Sequence, residues 1–341
     1  MKHLFVAALL SLTAGTITAQ DQDWKAMHEK AKTFTREGDY RNAILVLNRA
    51  LEKEGTNLEL KKDLAFAHYL NRDYVHALEV AKPLQEDPQV DVQSFQILGM
   101  VYKAIEEAKE AEKMYKAALK KFPNSGVIYN EYGEMMWSKK AYSDAIKLWE
   151  KGIEVDPTQS GNYYNAAKYY YFTKDKVWGL VYGEIFVNLE SYSKRTPEIK
   201  MLLLDGYKKL FLDSDITKGQ DTKNEFVNAW LEIMKTQAGY VASNGITSET
   251  LSAVRTKFVI AFQERYVRRF PFRLYEYQQQ LLKSGMFEAY NQWLFETATN
   301  LSAYESWTKA HADEYNQFNT FQKNRVFKLP TGQYYQNPSK L

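Results

Sequence analysis

The sequence predicts an all-α protein, an α-solenoid of helix hairpins followed by an irregular helical C-terminal region. Three observations carry this. Alanines recur at a constant step, at positions 43, 77, 111 and 145, and the next step lands on Gly179. The segments Asp39-Tyr40-Arg41-Asn42-Ala43, Asp73-Tyr74-Val75-His76-Ala77 and Ala141-Tyr142-Ser143-Asp144-Ala145 align in the same register. Prolines stand where two of the resulting units close, at Pro123 and Pro157, with Pro88 one place early in another, and proline cannot continue a helical hydrogen-bond ladder.

The chain opens with the pattern of an export signal: Lys2, an apolar run from Leu4 to Gly15, then small and polar residues ending in Thr18-Ala19-Gln20. Residues 1–19 are therefore expected to be a signal peptide, with the mature protein exported, periplasmic or secreted. The run is too short to span a bilayer comfortably, and no later stretch is apolar enough, so no membrane-embedded segment is expected. There is no cysteine; this excludes disulfides, the lipid-modified cysteine of a bacterial lipoprotein, and thiolate metal sites. Formal charge is +3, from 45 basic and 42 acidic residues interleaved along the chain, which is not the concentrated basic stripe of a nucleic-acid binder.

Units at 24–57, 58–91, 92–125, 126–159 and 160–193 share one pattern. The eighth place is Ala31, Ala65, Gly99, Gly133 or Ala167, and the twenty-seventh is Ala50, Leu84, Ala118, Gly152 or Phe186. The eleventh is Phe34, His68, Tyr102, Met136 or Tyr170. Small residues let helix backbones approach, and large ones fill the gaps between them. Step and pattern together resemble the tetratricopeptide repeat, whose unit is two antiparallel helices in about 34 residues. The resemblance covers 24–193, about half of the chain, and implies a right-handed stack of hairpins, since one hairpin cannot hide its own apolar face.

What the resemblance further implies is a concave groove, lined by the first helix of each unit, that binds a segment of another protein. Carried over place by place, that groove takes Lys25, His28, Lys32 and Arg36 from the first unit, and Glu59, Lys62, Phe66 and Tyr69 from the second. The third gives Gln93, Gln96, Met100 and Lys103, the fourth Asn130, Glu134 and Trp137, and the fifth Tyr164, Lys168, Tyr171 and Phe172. Such a groove is basic toward its N-terminal end and aromatic toward the fifth unit, and suits a peptide with acidic and aromatic residues. The carboxylate clamp of chaperone-binding relatives is absent, because its Lys and Asn places hold His28 and Lys32. The rings of the fifth unit divide: Tyr163 and Tyr170 fall with Ala166 and Ala167 on packing places, whereas Tyr164, Tyr171 and Phe172 fall on the groove.

From Lys194 the register is expected to end. Thr196-Pro197-Glu198 starts a helix through about Asp213, and others follow over about 222–238 and 248–269. A worn hairpin near 271–298 and a polar capping helix over about 303–324 complete the region 194–329, and 330–341 reads as a loose tail. Arg265, Arg268, Arg269 and Arg273 form a basic cluster, expected to meet helix ends and nearby acids.

No phosphate-cradling glycine loop, metal spacing or nucleophile elbow occurs, and His28, His68, His76 and His311 stand in no metal motif. No catalytic residue, cofactor or metal is therefore expected. The sequence reading is a non-enzymatic adaptor or scaffold binding a protein or peptide. A protein that binds glycans or small ligands, stacking them on Trp137, Tyr164, Tyr171 and Phe172, is the alternative, and an enzyme with its site in the C-terminal half is a third reading.

Overall fold

The computed structural model describes residues 14–297 and 300–336, with side chains from residue 23 onward. The expected leader falls mainly on residues outside this range, as do positions 337–341. Among the described residues there are eighteen helices, and none is long and apolar enough to cross a membrane. The chain divides after Pro123 into two compact units.

The first unit holds α1 (Ala14–Glu37), α2 (Tyr40–Lys53), α3 (Leu58–Leu70), α4 (Tyr74–Leu84), α5 (Val92–Ala104) and α6 (Ala108–Lys121). The second begins with α7 (Gly126–Ser138), α8 (Tyr142–Val155), α9 (Ser160–Phe172) and α10 (Lys176–Leu189). These are hairpins of the tetratricopeptide type: α3, α5, α7 and α9 start at one constant spacing, and α2, α4, α6, α8 and α10 keep the same spacing.

The turns inside the hairpins repeat at atomic detail. The fifteenth place takes a left-handed conformation at Gly38 (φ 81°), Arg72 (φ 60°), Glu106 (φ 59°) and Lys140 (φ 61°). The next amide then returns to the carbonyl of the eleventh place: Asp39 to Phe34, Asp73 to His68, Glu107 to Tyr102 and Ala141 to Met136. This closes α1, α3, α5 and α7 with the doubled-back bonds of a Schellman motif, whereas α9 ends on a bond from Thr173 to Tyr170. Packing follows the expected division into small and large. In the first unit Ala31, Ala43, Leu47, Ala50, Leu60 and Leu64 form one buried cluster. In the second, a Cβ built on Gly133 would collide with the Trp149 indole, so the glycine is what admits the ring.

The register carries on beyond residue 193, where the sequence reading ended it. Helix α11 (Thr196–Leu210) packs on α10 and α9 as the next first helix would. Glycine makes this possible: a Cβ on Gly183 would lie 3.0 Å from Leu203 Cδ2, and one on Gly206 would lie 3.0 Å from Leu180 Cδ2. No second helix then completes the hairpin, because residues 211–224 are loop.

The remainder is α12 (Glu225–Lys235), α13 (Ala238–Asn244), α14 (Ser248–Arg265), α15 (Arg273–Lys283), α16 (Phe287–Phe295), α17 (Leu301–Ala310) and α18 (Ala312–Asn324). The expected single capping helix is thus two, broken at His311; Tyr304, Trp307 and Tyr315 are half-buried and Phe318 is buried. Helices α12 and α16 meet α10 and α11. The docking is specified by polar groups: Arg255 of α14 pairs with Glu184 of α10, and both are buried. Gln278 and Tyr290 each bond to Glu184 at 2.7 Å, and Arg255 also donates to Asn291. Around them Phe226 gathers Trp178, Phe262, Phe270, Phe272 and Tyr335.

The tail is not loose over its described part. Within it Tyr335 is buried, as are Phe327 and Leu329 just before it; Tyr335 donates to the Pro271 carbonyl at 2.5 Å, and Gln336 bonds Glu150 at 2.6 Å and Tyr170 at 2.8 Å. Apolar side chains inside a polar-looking segment explain the difference: each finds a slot that the linear sequence does not display.

Candidate functional site

In the first unit the expected groove residues lie on α1, α3 and α5, and several are already engaged. Lys62 is buried, not presented: its ammonium meets Asp91 and Glu59 at 2.6 Å each and Gln93 at 2.9 Å. Burial works against its charge, but the two carboxylates outweigh it and hold its pKa above the ordinary lysine value. His28 is likewise buried and pairs through Nε2 with Asp63 at 2.7 Å. Lys32 meets Glu29 at 3.0 Å, and Arg36 donates to Thr33. The expected basic end is therefore largely matched by the chain's own acids. Phe66 and Tyr69 stack with centroids 6.2 Å apart. Lys25 sits over the Trp24 ring, Lys103 is exposed, and Gln96 and Met100 are half-buried.

The second unit presents a more organised face, on α7, α9 and α11. Asn130 and Glu134 of α7 are joined at 3.1 Å, and Asn165 of α9 donates to Asn130 at 2.9 Å and to Glu134 at 3.3 Å. On the other side of α9, Tyr164 donates to Glu198, and Lys168 meets Glu198 at 2.7 Å. Tyr171 donates to Asp205 at 2.6 Å, and Lys209 completes the set at 3.0 Å from Asp205 and 3.7 Å from the Tyr171 ring centroid. Arg195 lies over Tyr164.

These contacts set the local charge states. Burial would lower Lys168 and raise Glu198. The bonds among Lys168, Glu198 and Tyr164 outweigh it, so Lys168 is held above and Glu198 below their ordinary values. Asp205 is lowered, first by the Tyr171 hydrogen bond and then by Lys209. The result is a ladder of rings and ion pairs already joined to one another.

Beside that ladder two rings are open. Phe172 is 73% exposed and Trp137 37% exposed. Trp137 is braced edge-on by Tyr142 at 4.6 Å and by Tyr169 at 6.5 Å. The packing rings behave as expected: Tyr163, Ala166 and Ala167 are buried, and Tyr170 turns to Glu150.

Sequence reasoning missed Asn165, Glu198, Asp205 and Lys209. A signal existed, because Glu198 and Asp205 stand one full repeat after Tyr164 and Tyr171. Three of the four arginines of the basic cluster pair locally, Arg265 with Glu232, Arg269 with Glu225, and Arg273 with Glu276, and Arg268 is exposed. The C-terminal half also holds a cavity of about 420 Å³ lined by Glu249, Glu288, Glu314, Ser252 and Phe287.

No family model matches the chain, and no curated protein is similar to it. Solved structures resemble it in fold. A tetratricopeptide repeat protein from Parabacteroides merdae is 16% identical, with 82% of this chain and 100% of that one covered and a TM-score of 0.39. MamA from Desulfovibrio magneticus RS-1 is 16% identical over 50% of this chain and 94% of that one, with a TM-score of 0.39. YrrB, described as a tetratricopeptide protein with an unusual peptide-binding site, is 16% identical over 57% of this chain and 97% of that one, also with a TM-score of 0.39.

Proposed function

We propose that the protein is a non-enzymatic adaptor that binds a protein or peptide segment on the first-helix faces of its hairpins, chiefly the face of α7, α9 and α11. One observation supports this above the rest. Trp137 and Phe172 stay exposed beside a ladder whose other members are already satisfied. Exposed aromatic rings on a rigid support bury large area at small entropic cost, which is the property of a binding anchor. The partner's matching feature is an apolar or aromatic side chain. Acidic partner residues find less support, since Lys62, His28 and Lys32 are occupied by Asp91, Asp63 and Glu29. Residues 1–19 support an exported protein.

The test uses the full chain in intact cells of its source. Proteins crosslinked to the wild type are compared with those crosslinked to the Trp137→Ala/Phe172→Ala variant and to a control variant at exposed Leu212. The adaptor reading expects one or more partners recovered with wild type and control and lost from the double variant. Recovery of the same proteins with all three sinks it. Loss of oligosaccharide binding in the double variant, with crosslinked partners unchanged, supports the glycan reading instead.

A further inference from the structure

In the second hairpin two histidines and one aspartate converge at the turn between α3 and α4. Asp73 lies 3.1 Å from His68 Nδ1, and both of its carboxylate oxygens lie 2.8 Å from His76 Nδ1. The imidazoles face each other with centroids 5.3 Å apart and planes 27° from parallel. All three ligand atoms fall within 4.8 Å of one another.

The aspartate alone has an ordinary explanation. It caps α4 by accepting from the His76 amide at 3.4 Å, as Asp39 caps α2 by accepting from the Asn42 amide at 3.3 Å. The histidines do not. Their places in the other hairpins hold Phe34, Tyr102, Met136 and Tyr170, or Asn42, Glu110, Asp144 and Trp178. Only the second hairpin sets an imidazole at both places around the capping acid, and both turn the same nitrogen, Nδ1, toward it.

We propose that His68, Asp73 and His76 bind a divalent transition-metal ion of the zinc class. Two imidazoles and a carboxylate form a donor set that suits zinc, nickel or copper over calcium or magnesium. Zinc bonds of about 2.0–2.2 Å hold tetrahedral ligand atoms roughly 3.3–3.5 Å apart. Asp73 therefore has to open from its histidines by a few tenths of an ångström, and the two imidazole nitrogens, which lie within 4.8 Å of each other, have to close on the metal as it replaces the shared protons. The backbone around the carboxylate is already fixed, by the cap and by the bond from the Asp73 amide to the His68 carbonyl at 2.9 Å. The His76 side chain is 60% exposed, so solvent reaches the remaining coordination position. The spacing His-x4-Asp-x2-His matches no linear metal motif, and the hairpin geometry is what assembles it.

The test is titration of untagged full-length protein with Zn²⁺, and with Co²⁺ as a spectroscopic probe, with Mg²⁺ and Ca²⁺ as controls. Wild type is expected to take up one Zn²⁺ saturably, to give visible Co²⁺ absorption, and to ignore Mg²⁺ and Ca²⁺. The variants borrow from the first hairpin to protect the fold: His68→Phe restores its ring, His76→Asn its asparagine, and Asp73→Asn keeps a capping oxygen. Each is expected to weaken Zn²⁺ binding by roughly tenfold or more, with far-ultraviolet circular dichroism unchanged. A wild type without saturable Zn²⁺ binding overturns the proposal. So does a folded His68→Phe/His76→Asn double variant that binds as tightly as wild type.

Discussion

Tyr171 of α9 donates its phenol to Asp205 of α11 at 2.6 Å, across one full repeat of sequence. The partners occupy equivalent places in successive first helices, and Tyr164 and Glu198 repeat the relationship one rung along. The rungs tie α11 to the hairpin before it. A double-mutant cycle with Tyr171→Phe and Asp205→Asn is expected to show a coupling of about 0.5–1.5 kcal/mol in denaturant unfolding. Strict additivity would show that the bond contributes nothing.

Gly133 is a space requirement of the fourth hairpin. Its absent Cβ is the volume that Trp149 fills, with the indole Nε1 donating to the Asn130 carbonyl at 3.2 Å. Gly133→Ala is expected to cost about 1–3 kcal/mol through overpacking, despite the better helix propensity of alanine. Adding Trp149→Phe should recover part of the loss. A thermal melt of the single variant at or above the wild-type midpoint would refute the overpacking.

The pair Arg255 and Glu184 is buried on both sides, so removing one partner strands a charge. Arg255→Met alone is expected to destabilise by about 3–5 kcal/mol, and the Arg255→Met/Glu184→Met double variant by much less. Equal losses in single and double variants would instead identify lost packing as the cause.

Two groups, buried Lys200 and half-buried Glu150, give stability opposite dependences on pH. Burial lowers Lys200 to about 6; it lies 3.5 Å from the Trp293 ring centroid and bonds the Trp293 carbonyl and Thr297. The unfolded chain binds this proton up to about pH 10.4, so Lys200 lowers stability fully below about pH 6 and progressively less as pH rises toward 10. Lys200→Met should raise the melting temperature most at low pH. Glu150, accepting from Tyr170 and Gln336, is raised by burial to about 7. Here the folded state holds the extra proton, so stability is lost as pH rises from about 4.5 to 7. Glu150→Gln should therefore gain on wild type across that interval and stay level above it. Parallel melting curves against pH for wild type and both variants would refute both assignments.

The hairpins were legible because their geometry is local and repeated. Ala43, Ala77 and Ala145 mark a register that the starts of α2, α4 and α8 follow. Candidate faces follow from the same register, and on them Trp137 and Phe172 are exposed. Lys62 departs from expectation because its place in the helix predicts exposure, while its burial depends on Asp91, which caps the start of α5. Helix α11 is readable from its Thr196-Pro197-Glu198 start, but its membership of the register is not, because only Glu198 and Asp205, one repeat after Tyr164 and Tyr171, preserve it. The sites built by distant segments, Gln336 on Glu150 or Arg255 on Glu184, have no linear signature at all.

A hairpin begun at α11 and never finished has a consequence for assembly. Each stacked hairpin ordinarily leaves a fresh apolar edge that invites another, whether from the same chain or from a neighbouring molecule. Here α12 and α16 occupy that edge on α10 and α11, and Arg255 locks the join with a charge that a passing hairpin would have to displace. The arrangement covers that edge, as the last element of a stack of repeats must.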